Sequence, residues 1–370
     1  MTQTQAIDLD INPFEAVVVE EQDGTRHFDL TTFPRVESLL VGKPVDVVAE
    51  SVKMLCGICP ISHHLAGMRA LDSLYGALSL TETATDVRLL LHFASVLDMV
   101  SGRLLFTDRE IAVAAKKAAR EACAAVGMTG HFPSVAIPGG VTQAATAWDT
   151  EPLNQLVRDL QARLDTMPAH VPSGFTGANV ALVSHRGELN PLGDIVGVIE
   201  GGKFSSFPVA EWTSHVKETH PGSVAPAPRI DGSAYRVGPR ARAAFTSAEG
   251  DTLVELFDAA RALLELSMSP TLYEGDLVTE VSTTPVNRVG TGIVDSPRGI
   301  LVHHYEIDEE GTLVAAQILT PTAQNDPWLT QMLTAAKNEE EMERGIRIAD
   351  PCVPCVSAPP GKMTIKTERK

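Results

Sequence analysis

Four of the five cysteines stand in two Cys-x-x-Cys pairs, Cys56/Cys59 and Cys352/Cys355. Two thiols at this spacing share one loop or one first helical turn, close enough to hold a single metal. Thiolates are soft ligands and select Ni, Zn, Cu(I) or the iron of Fe–S centres over hard cations. A structural zinc site ordinarily draws its second pair from about 15–20 residues away. Here nearly the whole chain separates the pairs, so a single site requires the fold to bring its two ends together. Two unconnected motifs, or a zinc site, are the plainer alternatives. Cys123 lies in an Ala-rich stretch and reads as a small buried residue.

The elements that must position these thiols are mostly helical. Ala and Leu are abundant, while aromatics make up only 5% of the 370 residues. Phe14 to Leu30 reads as a hairpin turning at Gln22-Asp23-Gly24. Phe33 to Glu50 reads as a helix with a break at Gly42. The first cysteine pair precedes a helix whose apolar positions include Leu65, Met68, Ala70, Leu71 and Leu74. Further helices are expected over Thr81–Leu105, Arg109–Val126, Asp149–Met167 and Ser247–Ser267. Between them lie a Pro-Gly loop, His131–Val141, and a mix of short strands and loops from Pro168 to Arg242. Gly299 to Pro321 reads as a second hairpin, on which His303 and His304 face opposite ways in structural roles. A charged helical turn, Asn338–Arg344, leads to the second pair. With no repeat and no clean linker, the expectation is a single domain over residues 1–370. Its class is α+β, predominantly α: a helical bundle core with peripheral short β-hairpins, and a metal site where the N- and C-terminal segments meet.

Charge and hydropathy remove several function classes. The formal net charge of −17 leaves no basic stripe for phosphates, which argues against nucleic acid. No run of about 18 apolar residues suggests a membrane span. Met1 to Asp10 lacks the basic and apolar regions of a signal peptide. An odd cysteine count with Cys-x-x-Cys pairs fits a reducing compartment, so a cytoplasmic location is expected.

Several segments carry a family likeness in order along the chain. They are Phe33-Pro34-Arg35-Val36-Glu37, Cys56-Gly57-Ile58-Cys59-Pro60-Ile61-Ser62-His63, Ile137-Pro138-Gly139-Gly140-Val141 and Tyr235-Arg236-Val237-Gly238-Pro239. Ser296-Pro297-Arg298-Gly299 follows, then His303 to Asp308, then Asp350-Pro351-Cys352-Val353-Pro354-Cys355. Together they resemble the large, catalytic subunit of nickel–iron hydrogenases, most closely the cytoplasmic NAD(P)- or F420-linked branch.

That resemblance implies a binuclear site with Cys56 and Cys352 as terminal nickel ligands. Cys59 and Cys355 would bridge nickel to an iron carrying CO and CN. The implied reaction is reversible heterolytic cleavage of H2 to protons and electrons. Cys352 or Arg298 would be the base, although arginine is almost always protonated in proteins. Asp350 would hold Arg298, Glu15 would relay protons outward, and His63 would hydrogen-bond a bridging sulfur. Glu37 would contribute to a structural Mg2+ site. The implied partners are an Fe–S small subunit, a diaphorase module reducing NAD(P) or F420, and maturation proteins. An H2-sensing regulatory protein and a redox-complex subunit without H2 activity are the alternatives.

The chain departs from the family pattern at three places. Met54, beside Lys53, stands where the family has arginine. Leu91–Arg103 offers only His92, Ser95 and Asp98 for the family's Ser-His-x-x-His element. Ala358 replaces the histidine that would pair with Glu37. The tail Pro359–Lys370 is either a removable extension or part of the mature protein.

Overall fold

Pro60 has no amide hydrogen to lose at a first helical position, so the helix Pro60–Leu74 starts directly after Cys59, its cap residue. Three longer helices start at polar caps that satisfy otherwise orphaned amides. Thr81 accepts from the Ala84 amide ahead of Glu82–Ser101, and Asp108 from Ile111 ahead of Arg109–Ala125. Asp251 does the same for Leu253 ahead of Thr252–Leu266. These helices pack with Glu151–Leu164 into a bundle. Leu90, Leu97, Ala115, Leu156, Leu160 and Leu263 lie in its core.

This computed structural model describes residues 12–30, 36–77, 79–167, 174–220, 226–246 and 251–370. The N-terminal leader reading, the Phe33-Pro34-Arg35 part of one landmark and the start of the Ser247–Ser267 helix lie outside them. Contacts divide the described residues into two compact units, within Met1–Asp29 plus Leu329–Lys370 and within Leu30–Trp328.

The larger unit holds the bundle and two sheets. One sheet is an antiparallel meander of Val289–Ser296, Gly299–Ile307 and Leu313–Leu319. The other orders Tyr235–Arg236, Ala178–Val183, Ile195–Glu200 and Lys203–Pro208. Val180, Val196, Trp212, Ile293, Ile300 and Val302 form a second core joining these sheets. The meander lies directly against the helix Pro60–Leu74. A Cβ on Gly292 would fall 2.0 Å from the Ala66 carbonyl oxygen, so only glycine lets strand and helix approach this closely.

In the smaller unit Glu15–Glu20 is the middle strand. It pairs antiparallel with Arg26–Phe28 and parallel with Thr364–Arg369, from Glu15 opposite Thr364 to Glu20 opposite Arg369. The helix Glu339–Ala349, capped by Asn338, packs against that C-terminal strand.

The α+β class is borne out. Two elements differ from expectation. Phe33–Glu50 carries a four-residue helix, Glu37–Leu40, and a separate helix, Val45–Val52, because the chain turns at Gly42 (φ 84°). Val289–Ser296 is a full strand whose glycines obscure its pattern. Among the described residues no helix is long and apolar enough to cross a membrane.

Candidate metal centre

The first cysteine pair sits on the loop that enters the helix Pro60–Leu74. The Cys56 and Cys59 sulfurs lie within 4.8 Å of one another and both residues are half-buried. The amides of Ile58 and Cys59 point at the Cys56 sulfur, at 3.4 and 3.3 Å. Amide hydrogens aimed at sulfur, together with the positive end of a 15-residue helix, favour negative charge there. His131 Nε2 donates to the Gly57 carbonyl at 2.8 Å and ties the loop to the Pro-Gly segment. The departure at Met54 leaves an exposed side chain, while Lys53 is engaged by Glu50 at 2.6 Å.

His63 lies one helical turn past Cys59 and is fully buried. Its Nδ1 meets His303 Nε2 at 3.0 Å, and His303 Nδ1 meets the Tyr305 hydroxyl at 2.6 Å. Burial pushes His63 down to about 4, against a smaller opposing pull from the Cys56 thiolate. Burial and His63 together push His303 well below the usual histidine range. Both rings are therefore neutral at pH 7. His304, on the opposite strand face, pairs with the Thr291 hydroxyl at 2.8 Å.

Arg298 occupies a two-residue turn between strands, where Ser296 pairs with Gly299. Arg242 grips the turn from beneath. Its Nη1 donates to Asp295 Oδ1 at 2.5 Å and to the Ser296 carbonyl, and its Nη2 to the Pro297 carbonyl, both at 3.2 Å. Asp295 is buried, which pushes its carboxyl up, while the Arg242 charge pulls it back down. A Cβ on Gly238 (φ 90°) would lie 2.3 Å from the Arg298 carbonyl oxygen. The Tyr235–Pro239 landmark is thus the seat of the turn.

The Ile137–Val141 landmark has a similar explanation. Arg88, wholly buried in its helix, makes a two-pronged pair with Asp72 at 2.5 and 3.2 Å and donates to the Ile137 and Gly140 carbonyls. Asp72 accepts in turn from the Gly139 amide at 2.7 Å. A charged residue inside the apolar run Val87–Leu91 was the sequence signal for this ion pair. His64 accepts from the Ala136 amide at 3.1 Å, and burial pushes it down to about 3. His92 lines a cavity of about 320 Å³ beside Arg242, Asp295 and Asp258.

The second pair belongs to the smaller unit. Cys352 is half-buried and Cys355 buried, and Cys355 opens a tight helical turn with Pro354. Burial pushes the Cys355 thiol up to about 11, with Arg347 pulling the other way. Arg347 donates to the carbonyls of Val356, Ala358 and Pro359. Glu343 braces that guanidinium and accepts from the Gly361 amide. Asp350 is buried at the helix end in a left-handed conformation (φ 47°), which turns the chain into the cysteine loop. Glu15 begins its strand and is exposed; Glu37 is half-buried. Cys123 is buried in its helix, as expected, and burial pushes its thiol up to about 12.

Comparison with known proteins places this architecture. The large subunit's counterpart in the F420-non-reducing hydrogenase of Methanothermobacter thermautotrophicus is 25% identical over 416 aligned positions, covering 88% of this chain and 87% of that protein. Among solved structures, an NAD+-reducing [NiFe]-hydrogenase in its H2-reduced state superimposes with a TM-score of 0.73 at 23% identity, covering 91% of this chain and 94% of that one. The chain resembles nickel–iron hydrogenase large subunits in sequence and in fold. The likeness extends to the beta subunit of the NAD-reducing hydrogenase HoxS of Cupriavidus necator, 23% identical over 94% of this chain and 93% of that one. It also extends to a Ni-Fe-Se hydrogenase of D. vulgaris Hildenborough, with a TM-score of 0.62 at 17% identity, covering 90% of this chain and 94% of that one. No protein-family model matches the chain.

Proposed function

We propose that the chain is the catalytic subunit of a nickel–iron hydrogenase, an oxidoreductase acting on H2. The observation that carries this reading is the full-length likeness to hydrogenase subunits combined with intact Cys-x-x-Cys pairs at both ends. The donor set fits the metals. Cys56 and Cys59 offer two sulfurs within 4.8 Å, on a loop whose amides favour thiolate, and soft thiolates suit nickel and low-valent iron. Cys56 and Cys352 would be the terminal nickel ligands, and Cys59 and Cys355 the bridges to an iron carrying CO and CN. When bound, this pair of metals supplies the heterolytic cleavage of H2.

The chain's own residues handle the proton and shape the site. Cys352 takes the proton, with Arg298 as the alternative base and as electrostatic support. Asp350 holds the arginine, and Glu15, exposed on its strand, passes protons to water. Glu37 is the one side chain retained for a structural Mg2+, since Ala358 offers no ligand. The residues act as one hydrogenase domain in a cytoplasmic complex. Cys123, the fifth cysteine, is buried in a helix, so this chain has no thiols left to ligate Fe–S clusters. The electrons therefore pass to an Fe–S small subunit, and a diaphorase module reducing NAD(P) or F420 can follow. Maturation proteins load the metals.

Metal analysis of matured protein should find about 1 Ni and about 1 Fe per chain, and infrared spectra should show bands in the CO/CN stretching window. Zinc alone, with no such bands, would remove the hydrogenase reading. A second reading is H2 sensing. It is favoured by the C-terminal segment Thr364–Arg369 being a paired strand rather than a loose extension, as suits a tail that is never removed. The intact mass of metal-loaded protein distinguishes the two.

A further inference from the structure

The buried chain Tyr305–His303–His63 has a direction that the distances and the proton count together fix. Neutral His303 has one N–H and one lone pair to share between its two neighbours. The Tyr305 hydroxyl is fully buried, and His303 Nδ1 is its hydrogen-bond partner. Were His303 Nδ1 to donate to the phenol oxygen, the phenolic proton would point into packed surroundings near Gly67 and Ala49. A buried donor left unmade is costly. The phenol therefore donates to His303 Nδ1, His303 Nε2–H donates to His63 Nδ1, and the His63 proton sits on Nε2.

We propose that Tyr305 and His303 are positioning residues that lock His63 into its Nε2–H tautomer, presenting a fixed N–H donor to the sulfurs of the Cys56–Cys59 loop. His63 stands four residues past Cys59 on the helix, and its backbone amide meets the Cys59 carbonyl at 3.3 Å. A fixed donor withdraws charge from a thiolate, whereas the reversed tautomer would turn a lone pair toward it. That consequence for the metals rests on the proposed function; the tautomer itself does not.

The test is long-range 1H–15N correlation of histidine side chains in the full, metal-free chain labelled with 15N-histidine. His63→Gln and His303→Gln assign the two spin systems. In the wild type, both rings should show hydrogen on Nε2 and a bare Nδ1. Finding hydrogen on His63 Nδ1 overturns the proposal. In Tyr305→Phe the single pattern at His63 should become a mixture, its tautomer ratio falling by about tenfold or more, as loss of one buried hydrogen bond implies. An unchanged pattern there also overturns it. Thr291→Val, which strips His304 of its partner, should leave His63 unaltered. The same mixture in that variant would mean general loosening and would sink the assignment. If Tyr305→Phe fails to fold, the wild-type tautomer decides alone. Loss of the hydrogenase reading through zinc-only metal content would leave this spectrum untouched, so the two failures are separable.

Discussion

At the scale of single residues, the chain places charge only where a partner answers it. Asp72 and Arg88 make a buried pair whose every prong also fixes the backbone of Ile137–Val141. Asp72→Asn removes one partner and leaves a buried guanidinium uncompensated. It should cost about 3–5 kcal/mol, read as a lower urea midpoint at unchanged slope. Arg298 is different, because its turn is held by Arg242 and not by its own side chain. Arg298→Lys should therefore fold normally and bind its metals, yet lose about 10²-fold or more in H2 oxidation if it serves in proton transfer. Wild-type activity in that variant would assign the base role elsewhere. Cys56, Cys59, Cys352 and Cys355 were legible from spacing alone, as was the buried, inert character of Cys123. Arg242 was not, because nothing local separates it from the surface arginines around it; its role exists only where Ser296 and Pro297 fold back onto it.

At the scale of elements, close approach replaces side-chain packing at two seams. The strand Val289–Ser296 lies on the helix Pro60–Leu74 through Gly290 and Gly292, against Ala66 and Ala70. The same glycines made that strand hard to read, since alternation vanishes when one face carries no side chain. The turn presenting Arg298 rests on Gly238, 2.3 Å from where a Cβ would meet its carbonyl. Gly238→Ala is expected to push the turn outward and to cost about 1–3 kcal/mol, as overpacking does. H2 turnover should drop while nickel and iron content stay at wild-type levels. If activity survives with full stability, the seat of the turn is more pliant than this geometry states. The helices, in contrast, were readable nearly to their ends, because caps such as Thr81, Asp108 and Asp251 and 3.6-residue periodicity are local signals.

At the scale of the whole molecule, burial of neutral histidines sets the response to acid. His64 and His92 are both pushed down to about 3 by burial, from an ordinary value of 6.5. Above pH 6.5 they are neutral in both folded and unfolded chains, and their stability contribution is complete. Below it the unfolded chain takes up protons that the folded chain refuses, until the pH nears the folded value. Stability should thus fall by about 1.4 kcal/mol per pH unit for each histidine below pH ~6. Replacing His92 with Leu should lessen that slope by one such share in urea titrations run at pH 6 and 4. A slope equal to wild type would mean that His92 takes up its proton without unfolding. The C-terminal strand gives a second expectation. Removing residues 359–370 strips Glu15–Glu20 of its parallel partner and bares an edge. The shortened chain should melt earlier and scatter light on standing.

Taken alone, the sequence determined the ligands, the helices and the likeness to hydrogenase large subunits, because thiol spacing, caps and periodicity are written within a few residues of one another. Tertiary structure decided which charges are paired, which glycines are obligatory, and which way the proton lies along Tyr305, His303 and His63. The physical reason is separation along the chain. His63 and His303 are 240 residues apart, and a hydrogen bond has a donor and an acceptor only once the fold has set both side by side and excluded water from them.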